Sequence, residues 1–308
     1  MLTFLIAAHN DPRHLSRLIG SLPGGSRFVV HIDGKTDITP FEQLLGGRSD
    51  VCFIQERVKV MWGSICHVDC QMRMIRKALE LHAPQEGDYF VMLSGLDYPL
   101  WSNSRISKFF ADAQGREIIV TQCMEHQGSQ ADIYRQHRPL NYKPWKYGSM
   151  KSKFRVALRK MLWALGFRKP LRFRADGSEY VLYKGSMNWA ITPDLAQLAL
   201  KYWDEKPEYV RYFHDGHGPD ETFIQTITAH SEFASRAIIV DGPFRGMESV
   251  TPLHYVDYAH GTKVFTAADF QTLIDSGKMF CRKVTTAESS TLLDMIDRHR
   301  QAEEQACL

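Results

Sequence analysis

The sequence has no long hydrophobic run. None of the apolar stretches in its 308 residues approaches the roughly 20 residues that cross a bilayer, and mean hydropathy is −0.30. The N-terminal segment MLTFLIAAHNDP has no basic residue ahead of its apolar run, which stops at His9. That pattern predicts a first β-strand rather than a signal peptide, so we expect a cytoplasmic protein. With 44% hydrophobic and 24% charged residues, the composition excludes a disordered, collagen-like or coiled-coil chain.

Several nucleotide-binding and catalytic motifs are missing. There is no GxxxxGK[ST], which excludes P-loop enzymes, and no GxGxxG after a predicted strand, which argues against dinucleotide-binding dehydrogenases. The hydrolase motif GxSxG and the zinc-protease motif HExxH are also absent. The six cysteines form no CxxC pair, so we expect reduced thiols and no metal site.

Acidic residues are absent from one long segment. No Asp or Glu occurs between Asp132 and Asp176, a stretch of 43 residues. The same stretch contains thirteen basic residues, namely Arg135, Arg138, Lys143, Lys146, Lys151, Lys153, Arg155, Arg159, Lys160, Arg168, Lys169, Arg172 and Arg174. Because the whole chain carries +3, the remainder carries −10. The sequence thus sets a basic segment in an acidic protein. It has no aromatic motif of the RNA-recognition type, so we expect no nucleic-acid partner.

Strand-like and helix-like patterns alternate along the first 125 residues. Short apolar strands are predicted at Thr3–Ala8, Arg27–Asp33, Val51–Gln55, Tyr89–Ser94 and Glu117–Gln122, with helices at Asp11–Leu22, His67–His82 and Ser104–Ala113. This alternation predicts an α/β fold with a single, mostly parallel central sheet and flanking helices. Ligands then bind beyond the carboxyl ends of the strands, where His9, Asn10, Asp33 and Asp97 are found.

The second half of the chain gives a less regular pattern. Met150–Phe167, inside the basic segment, predicts an amphipathic helix whose apolar positions are Phe154, Leu158, Met161, Leu162 and Leu165. Val181–Thr192 is typical of a strand, a turn and a second strand. The remaining predicted elements are helices at Asp194–Lys206, Pro219–His230, Phe270–Gly277 and Thr291–Gln305 and a strand at Ala237–Asp241.

A series of short motifs, taken in order, resembles the Core-2/I-branching glycosyltransferases, the family that also contains the peptide O-xylosyltransferases. The matching pieces are Phe4–Asn10, Val30–Lys35, Trp62–Ser64, Leu93–Leu100, Lys184–Ser186, Pro219–Phe223 and Phe280–Lys283. The specificity lies in their order over residues 4–284, since no piece alone is very specific. The basic segment matches no part of the family pattern.

The resemblance implies a GT-A glycosyltransferase fold over residues 1–308, with a basic insert at about 133–175. It also implies inverting transfer of a sugar from a UDP-sugar to a glycan hydroxyl, which forms a β linkage. The sugar expected is N-acetylglucosamine, and xylose is the alternative within the family. The family does without the metal-binding Asp-x-Asp motif of other GT-A enzymes, and this sequence contains no Asp-x-Asp. No metal or other cofactor is therefore expected, because fixed cations can neutralise the leaving diphosphate.

Two residues match the family's central catalytic positions. Glu221 matches the base that removes the proton from the acceptor hydroxyl, with Asp220 as its structural partner. The alternative for Glu221 is a structural role in the first turn of a helix after Pro219, where acids complement the helix dipole. Lys283 matches the lysine that binds the diphosphate. The candidate for the second basic residue on the diphosphate is Lys263, and Arg282 is the alternative.

The other matches concern the two substrates. Ala8, His9, Asn10 and Asp33 match positions that hold uridine, and Asp97 either binds a sugar hydroxyl or orders its own turn. The acceptor candidates are Glu125 with Arg135 or Arg138, the aromatic-site positions Tyr258 and His260, and Trp189, which either stacks on a sugar or belongs to the core.

Two questions stay open at the level of the sequence. One is catalysis itself, since the alternative is a nucleotide- or glycan-binding module without activity. The other is the basic segment, which either docks on an anionic membrane surface, at the inner face of the membrane, or packs its apolar stripe into the core. In the first case a lipid-linked glycan is a natural acceptor, in addition to free glycans.

Overall fold

The computed structural model describes residues 1–258 and 263–306. In chain order its strands are β1 (Leu2–Ala8), β2 (Arg27–Ile32), β3 (Val51–Phe53), β4 (Tyr89–Ser94), β5 (Asp97–Pro99), β6 (Val120–Cys123), β7 (Arg172–Ala175), β8 (Ser178–Val181), β9 (Tyr183–Lys184), β10 (Ala190–Ile191), β11 (Ile238–Val240), β12 (His254–Val256) and β13 (Phe280–Arg282). Its helices are α1 (Pro12–Ser21), α2 (Thr39–Leu45), α3 (Cys66–Leu81), α4 (Asn103–Ala113), α5 (Asp132–Arg135), α6 (Met150–Ala164), α7 (Pro193–Glu205), α8 (Pro207–His214), α9 (Phe223–Ala229), α10 (Phe270–Asp275) and α11 (Thr286–Ala306).

A five-stranded sheet in the order β10-β4-β1-β2-β3 lies at the centre of the molecule. The strands β4, β1, β2 and β3 are parallel, and β10 pairs with β4 in the antiparallel direction. Leu5 lies in register with Val29 on one side and Met92 on the other. The predicted α/β fold with a mostly parallel central sheet is confirmed.

Both faces of this sheet are covered, which explains why its strands are continuously apolar. Leu5, Val29 and Met92 belong to the core beneath α3 and α7, whereas Phe4 and Val30 belong to the core beneath α1, α4 and α11. Neighbouring residues of a strand point to opposite faces of the sheet, so each strand contributes to both cores.

Local capping fixes where several helices begin. The Asp11 carboxylate accepts a hydrogen bond from His14 N at 3.1 Å, directly before Pro12 at the first position of α1. Thr192 and Pro193 repeat the arrangement at the start of α7. The chain therefore turns into α1 immediately after His9 and Asn10, which keeps these residues at the end of β1.

The prediction of one sheet is wrong, because three smaller sheets accompany the central one in the described residues. Of the predicted strand Glu117–Gln122, residues 120–122 are observed in β6, which pairs with β11 and β9 in a separate sheet, whereas Ile118 bridges to Ala190 of β10 in the central sheet. A second sheet has the order β12-β13-β5, and β7 with β8 forms a hairpin. A local apolar pattern predicts that a segment forms a strand, but it does not predict which distant strand that segment pairs with.

Two predicted elements differ in form. The two strands of Val181–Thr192 do not pair as a hairpin, because β9 joins β6 whereas β10 joins the central sheet. The predicted helix at Pro219–His230 begins as a 3₁₀ turn, Pro219–Glu221, and continues as α9. Helix α8 follows α7 with only Lys206 between them, and the sequence analysis did not anticipate it.

The predicted helix in the basic segment is confirmed as α6. The hypothesis that its apolar stripe enters the core is wrong, because Ser152 is the only buried residue of the helix. Within the described part of the chain, no helix combines the length and hydrophobicity of a membrane-spanning helix.

Candidate active site

The carboxyl ends of β1 and β2 form one end of the candidate site. Asp33 N donates to the Ala8 carbonyl at 2.8 Å, and the Thr36 hydroxyl donates to the His9 carbonyl at 2.9 Å. Glycine is required at position 95, since a Cβ there would lie 2.5 Å from the Ala8 Cβ. The structure thus brings Ala8, His9 and Asp33 together beside Asn10, as the resemblance predicted.

Basic side chains surround this end. Burial lowers the pKa of His9, and Asp33 opposes that effect, but the nearby charges of Arg282, Lys35 and Lys283 lower the pKa further. Arg282 is the last residue of β13, the middle strand of the β12-β13-β5 sheet, and Lys283 follows it. The end of β13 therefore lies near the end of β1.

Lys263 is joined to Lys283 by a backbone hydrogen bond, but its ammonium is already paired with a carboxylate. Its carbonyl accepts a hydrogen bond from Lys283 N at 3.3 Å, and its ammonium contacts the Asp269 carboxylate at 2.5 Å. Arg282, the reserve candidate, lies close enough for its charge to act on His9 together with that of Lys283.

Asp97 is fully buried and does not face the cleft. Its carboxylate accepts hydrogen bonds from Ser94 N at 2.7 Å, from His254 Nε2 at 3.0 Å and from Arg282 Nη1 at 3.1 Å. Burial raises the pKa of Asp97, but His254 and Arg282 outweigh burial and the pKa lies below its usual value. Of the two interpretations that the sequence left open for Asp97, a sugar contact and an ordered turn, the buried contacts support the second, and Asp97 also fixes Arg282.

Glu221 forms the other end of the site together with Lys184. The Lys184 ammonium donates to Glu221 Oε2 at 2.6 Å, and Gly185 N donates to the Glu221 carbonyl at 2.7 Å. A Cβ at residue 185 would lie 2.2 Å from the Val120 carbonyl oxygen, so this contact requires glycine. The Lys184 side chain is 3% exposed, whereas that of Glu221 is 28% exposed and reaches the cleft.

The environment of Glu221 favours proton uptake. Burial raises its pKa, and the neighbouring Asp220 adds to this effect, whereas Lys184 and, to a smaller extent, His67 oppose it. Burial dominates, so the pKa lies above the usual carboxylate value. Asp220 Oδ1 is buried and has no hydrogen-bond partner within the described residues, and Asp220 Oδ2 lies 3.7 Å from His67 Nδ1. A carboxylate with a raised pKa is suited to general-base catalysis near neutral pH.

Tyr258 connects the two ends. Burial raises its pKa, and the charges of Glu221, Lys184 and Arg282 all act on its hydroxyl group. Tyr258 therefore lies close enough to both the base end and the cationic end for their charges to act on it. The other predicted aromatic-site position, His260, lies outside the described residues.

Two of the predicted acceptor residues lie in the segment next to the base end. The charge of Arg138 acts with that of Lys184 and with burial to lower the pKa of the buried His217 to about 3. Burial together with neighbouring Arg159 lowers the pKa of Arg138 itself to about 10. Arg135 holds the same segment through its carbonyl, which accepts from Lys169 N at 2.8 Å.

Two further acceptor candidates have other partners. Trp189, which the sequence left as either a sugar-stacking or a core residue, is completely buried in the core beneath α3 and α7, so the sugar-stacking role is excluded in this structure. Glu125 forms two hydrogen bonds of 2.8 Å with Arg172 of the β7–β8 hairpin. Both sets of contacts join residues that are far apart in the sequence.

No role was predicted for Lys184 or Trp62, although both lie in motifs that carry the family resemblance. Trp62 is 78% exposed and its ring lies 5.8 Å from that of His217. The Gly63 carbonyl accepts from Gly218 N at 3.3 Å, which attaches this segment to the turn that carries Glu221. Both residues could have been found from the sequence, because each is the large side chain before a Gly-Ser pair in a motif that carries the family resemblance.

The described residues contain no group of three or more His, Cys, Asp or Glu side chains arranged to hold a metal ion. A surface cleft with a volume of about 590 Å³ lies elsewhere, between α1, the start of α4 and α11. The candidate site is thus defined by its converging charges rather than by the size of a cavity.

Comparison with solved structures finds low similarity. A mannose-1-phosphate geranyltransferase from Thermus thermophilus aligns with 79% of this chain and 74% of its own, at 11% identity and a TM-score of 0.32. A putative glucose-1-phosphate thymidylyltransferase from Bacillus anthracis, in complex with sucrose, aligns with 80% of this chain and 88% of its own, with the same identity and TM-score. These TM-scores are too low to assign a shared fold.

Comparison with curated proteins finds no matching relative. The Core-2/I-branching enzyme family model, in contrast, matches residues 2–266. That range contains both strand ends of the donor side, the Lys184–Glu221 pair and Tyr258. The chain therefore belongs to the Core-2/I-branching enzyme family, which is a family of glycosyltransferases.

Proposed function

We propose that this enzyme transfers a sugar from a UDP-sugar to a glycan hydroxyl with inversion at the sugar carbon and without a metal ion. The observation that carries the proposal is the Glu221–Lys184 pair, which holds a carboxylate of raised pKa at one end of the cleft. The two cations Arg282 and Lys283 lie toward the other end, beside His9. This separation of base and cations suits a displacement in which the proton leaves on one side and the diphosphate on the other.

The proposed reaction is a single displacement. Glu221 removes the proton of the acceptor hydroxyl while its oxygen forms a bond to C1 of the sugar. The bond between C1 and the phosphate oxygen breaks, and its electron pair leaves with UDP. Lys283 and Arg282 stabilise the negative charge that accumulates on the diphosphate. Asp97 acts on the diphosphate through Arg282, whose guanidinium it holds in place, and His254 in turn holds the Asp97 carboxylate.

Family membership and the site chemistry also guide the proposal for the substrates. N-acetylglucosamine is the proposed sugar, with xylose as the alternative, and Ala8, His9, Asn10 and Asp33 are the proposed uridine contacts. The proposed acceptor is a glycan, either free or lipid-linked. Arg138 and Tyr258 are its proposed polar contacts. Trp62 is proposed as the stacking surface in place of Trp189, because its indole is exposed near the Glu221 turn.

The function is tested by incubating the full chain with a panel of nucleotide sugars and glycan acceptors and measuring released UDP. Release that depends on both donor and acceptor supports the proposal, and the stereochemistry of the isolated product tests inversion. A protein that binds UDP but releases none with any donor would instead be a non-catalytic binding module.

Chelation is expected to leave most of the activity. The sequence has no Asp-x-Asp motif, and His254 and Arg282 already occupy the carboxylate of Asp97. We therefore expect the initial rate after EDTA treatment and desalting to stay close to that of the untreated enzyme. A rate that returns only when Mn²⁺ or Mg²⁺ is added would contradict metal independence.

The substitution Lys184→Met is expected to move the acidic limb of the pH–rate profile to higher pH. A general base works only when deprotonated, so activity is lost as the pH falls through the pKa of Glu221. Lys184 lowers that pKa, and its removal leaves burial unopposed by the main cation. The measurement is kcat against pH. Lys35→Met, at the donor end, is the control and should leave the limb in place; an unchanged limb in Lys184→Met would contradict this role of Lys184.

A further inference from the structure

Helix α6 presents an apolar stripe to the solvent. Met150, Phe154, Met161 and Leu165 are 80%, 59%, 51% and 65% exposed, and Phe167, just beyond the helix, is 56% exposed. Their positions i, i+4, i+11 and i+15 place the first four residues on one face. Large exposed apolar residues are not unusual singly, but a contiguous stripe indicates an interaction surface.

The inward face of α6 is different in composition. Arg155, Leu158, Arg159 and Leu162 are partly buried against the rest of the chain, together with the buried Ser152. Of the apolar positions predicted from the sequence, Leu158 and Leu162 are partly buried, whereas Phe154, Met161 and Leu165 are exposed. The helix is held in place by its inward face, and its outward apolar face is left uncovered by the described part of this chain.

Lysines flank the exposed stripe on both sides. Lys151 lies on one flank, and Lys153 and Lys160 lie on the other; all three are exposed. None of them takes part in an ion pair within residues 1–258 and 263–306. The surrounding segment, residues 133–175, contains no acidic residue that would neutralise them.

We propose that the outward face of α6 docks on a membrane surface that contains anionic lipids. The lysines would contact the lipid phosphates while Phe154, Met161 and Leu165 enter the boundary between headgroups and acyl chains, as is typical of amphipathic helices in this position. A nucleic acid matches the charge but offers no apolar layer for aliphatic side chains. A second copy of the chain offers an apolar stripe but brings like charges together.

Docking through α6 places the base end of the candidate site near the membrane. Arg155 of α6 donates to the Asn141 carbonyl at 3.5 Å, and the Asn141 side chain donates to the Gly63 carbonyl at 2.9 Å. The same Gly63 carbonyl accepts from Gly218 N, three residues before Glu221. An acceptor attached to lipid would therefore meet the Glu221 end first. This last consequence rests on the proposed function, whereas docking itself does not.

Flotation of the full chain with vesicles tests the proposal. The vesicles contain phosphatidylcholine alone or phosphatidylcholine with phosphatidylglycerol. We expect the wild type to float with the anionic vesicles only, and to do so less at high salt. The triple variant Lys151→Glu, Lys153→Glu, Lys160→Glu is expected to lose at least roughly 100-fold in vesicle affinity, since each basic residue near such a surface contributes about fivefold.

Two further variants separate charge from apolar insertion. The triple variant Phe154→Ser, Met161→Ser, Leu165→Ser is expected to bind anionic vesicles more weakly at every salt concentration. The control Lys108→Glu, Lys201→Glu, Arg298→Glu makes the same change of charge at positions outside the basic segment and should float like the wild type. Circular dichroism and UDP binding establish that each variant is folded.

Several results would overturn the proposal. They are a wild type that stays unbound with both vesicles, equal loss of flotation in the control variant, and flotation unaffected by either α6 variant. The same holds if vesicle binding is absent while an oligonucleotide binds and only the lysine variant loses that binding. Self-association that the serine variant abolishes, again without vesicle binding, would assign the stripe to a second copy of the chain.

Discussion

Glu221→Gln is expected to lower kcat by roughly 10²–10⁴-fold, the contribution typical of a positioned general base. Glutamine keeps the shape and the hydrogen-bonding oxygen of the side chain, but it cannot take up the proton of the acceptor hydroxyl. UDP affinity should change little, because the cationic residues Arg282 and Lys283 lie toward the other end of the cleft. The measurements are acceptor-dependent UDP release for kcat and calorimetric titration for UDP.

The ion pair with Lys184 complicates this variant, and the experiment has to control for it. Removing the carboxylate leaves a buried ammonium without its partner, which costs roughly 3–5 kcal/mol of stability in comparable cases. The double variant Lys184→Met, Glu221→Gln removes both charges and should recover stability without recovering kcat. Glu179→Gln, which breaks an exposed pair with Arg172, is the matched control and should behave like the wild type. A folded Glu221→Gln variant with wild-type kcat would leave Glu221 only its structural role in the turn.

Lys283→Ala is expected to weaken UDP binding and to lower kcat by about 10²–10³-fold, the loss typical of removing one group that stabilises developing charge. In the proposed mechanism, the ammonium binds the diphosphate of the donor and meets additional negative charge as UDP departs. Both quantities should therefore fall in this variant. Calorimetry with UDP and single-turnover kinetics with saturating donor measure them separately.

Lys263→Ala is the matched control for this prediction. A backbone hydrogen bond joins Lys263 to Lys283, but the Lys263 ammonium is exposed and paired with Asp269. It should therefore affect UDP binding far less than Lys283 does, and Arg282→Ala should resemble Lys283→Ala. Unchanged UDP affinity in Lys283→Ala would move Lys283 away from the diphosphate. If Lys263→Ala weakened UDP binding more than Arg282→Ala does, Lys263 would be the second basic residue on the diphosphate.

The elements of the central sheet were predictable because their sequence pattern is local. Apolar runs such as those at residues 4–8 and 28–30 are typical of strands buried on both faces, and they occur there. The positions of His9 and Asp33 at strand ends follow from the same pattern. The strand at Glu117–Gln122 was also recognisable, but nothing within it specified that Ile118 bridges to the central sheet while residues 120–122 pair with β11 and β9.

The roles of individual side chains were predictable only where a motif carried them. Glu221 and Lys283 were proposed through ordered motifs: the charge of Lys283 acts on His9, and that of Glu221 acts on Tyr258. Asp97 was left with two interpretations, because its sequence neighbours do not reveal His254, which lies 157 residues away and contacts it at 3.0 Å. Trp189 was ambiguous for the same reason, since a tryptophan looks alike in sequence whether it faces a sugar or the core.

By itself, then, the sequence determined the α/β alternation, the order of the family motifs, the candidates Glu221 and Lys283, and the uninterrupted positive charge of residues 133–175. Each of these depends on short-range pattern or composition. Tertiary structure alone decided the pairing of Lys184 with Glu221, the enclosure of Asp97 by His254 and Arg282, and the outward orientation of the stripe on α6. The physical reason is that burial and charge pairing depend on residues brought together from distant parts of the chain, and a periodic pattern states which residues share a face but not which face is covered.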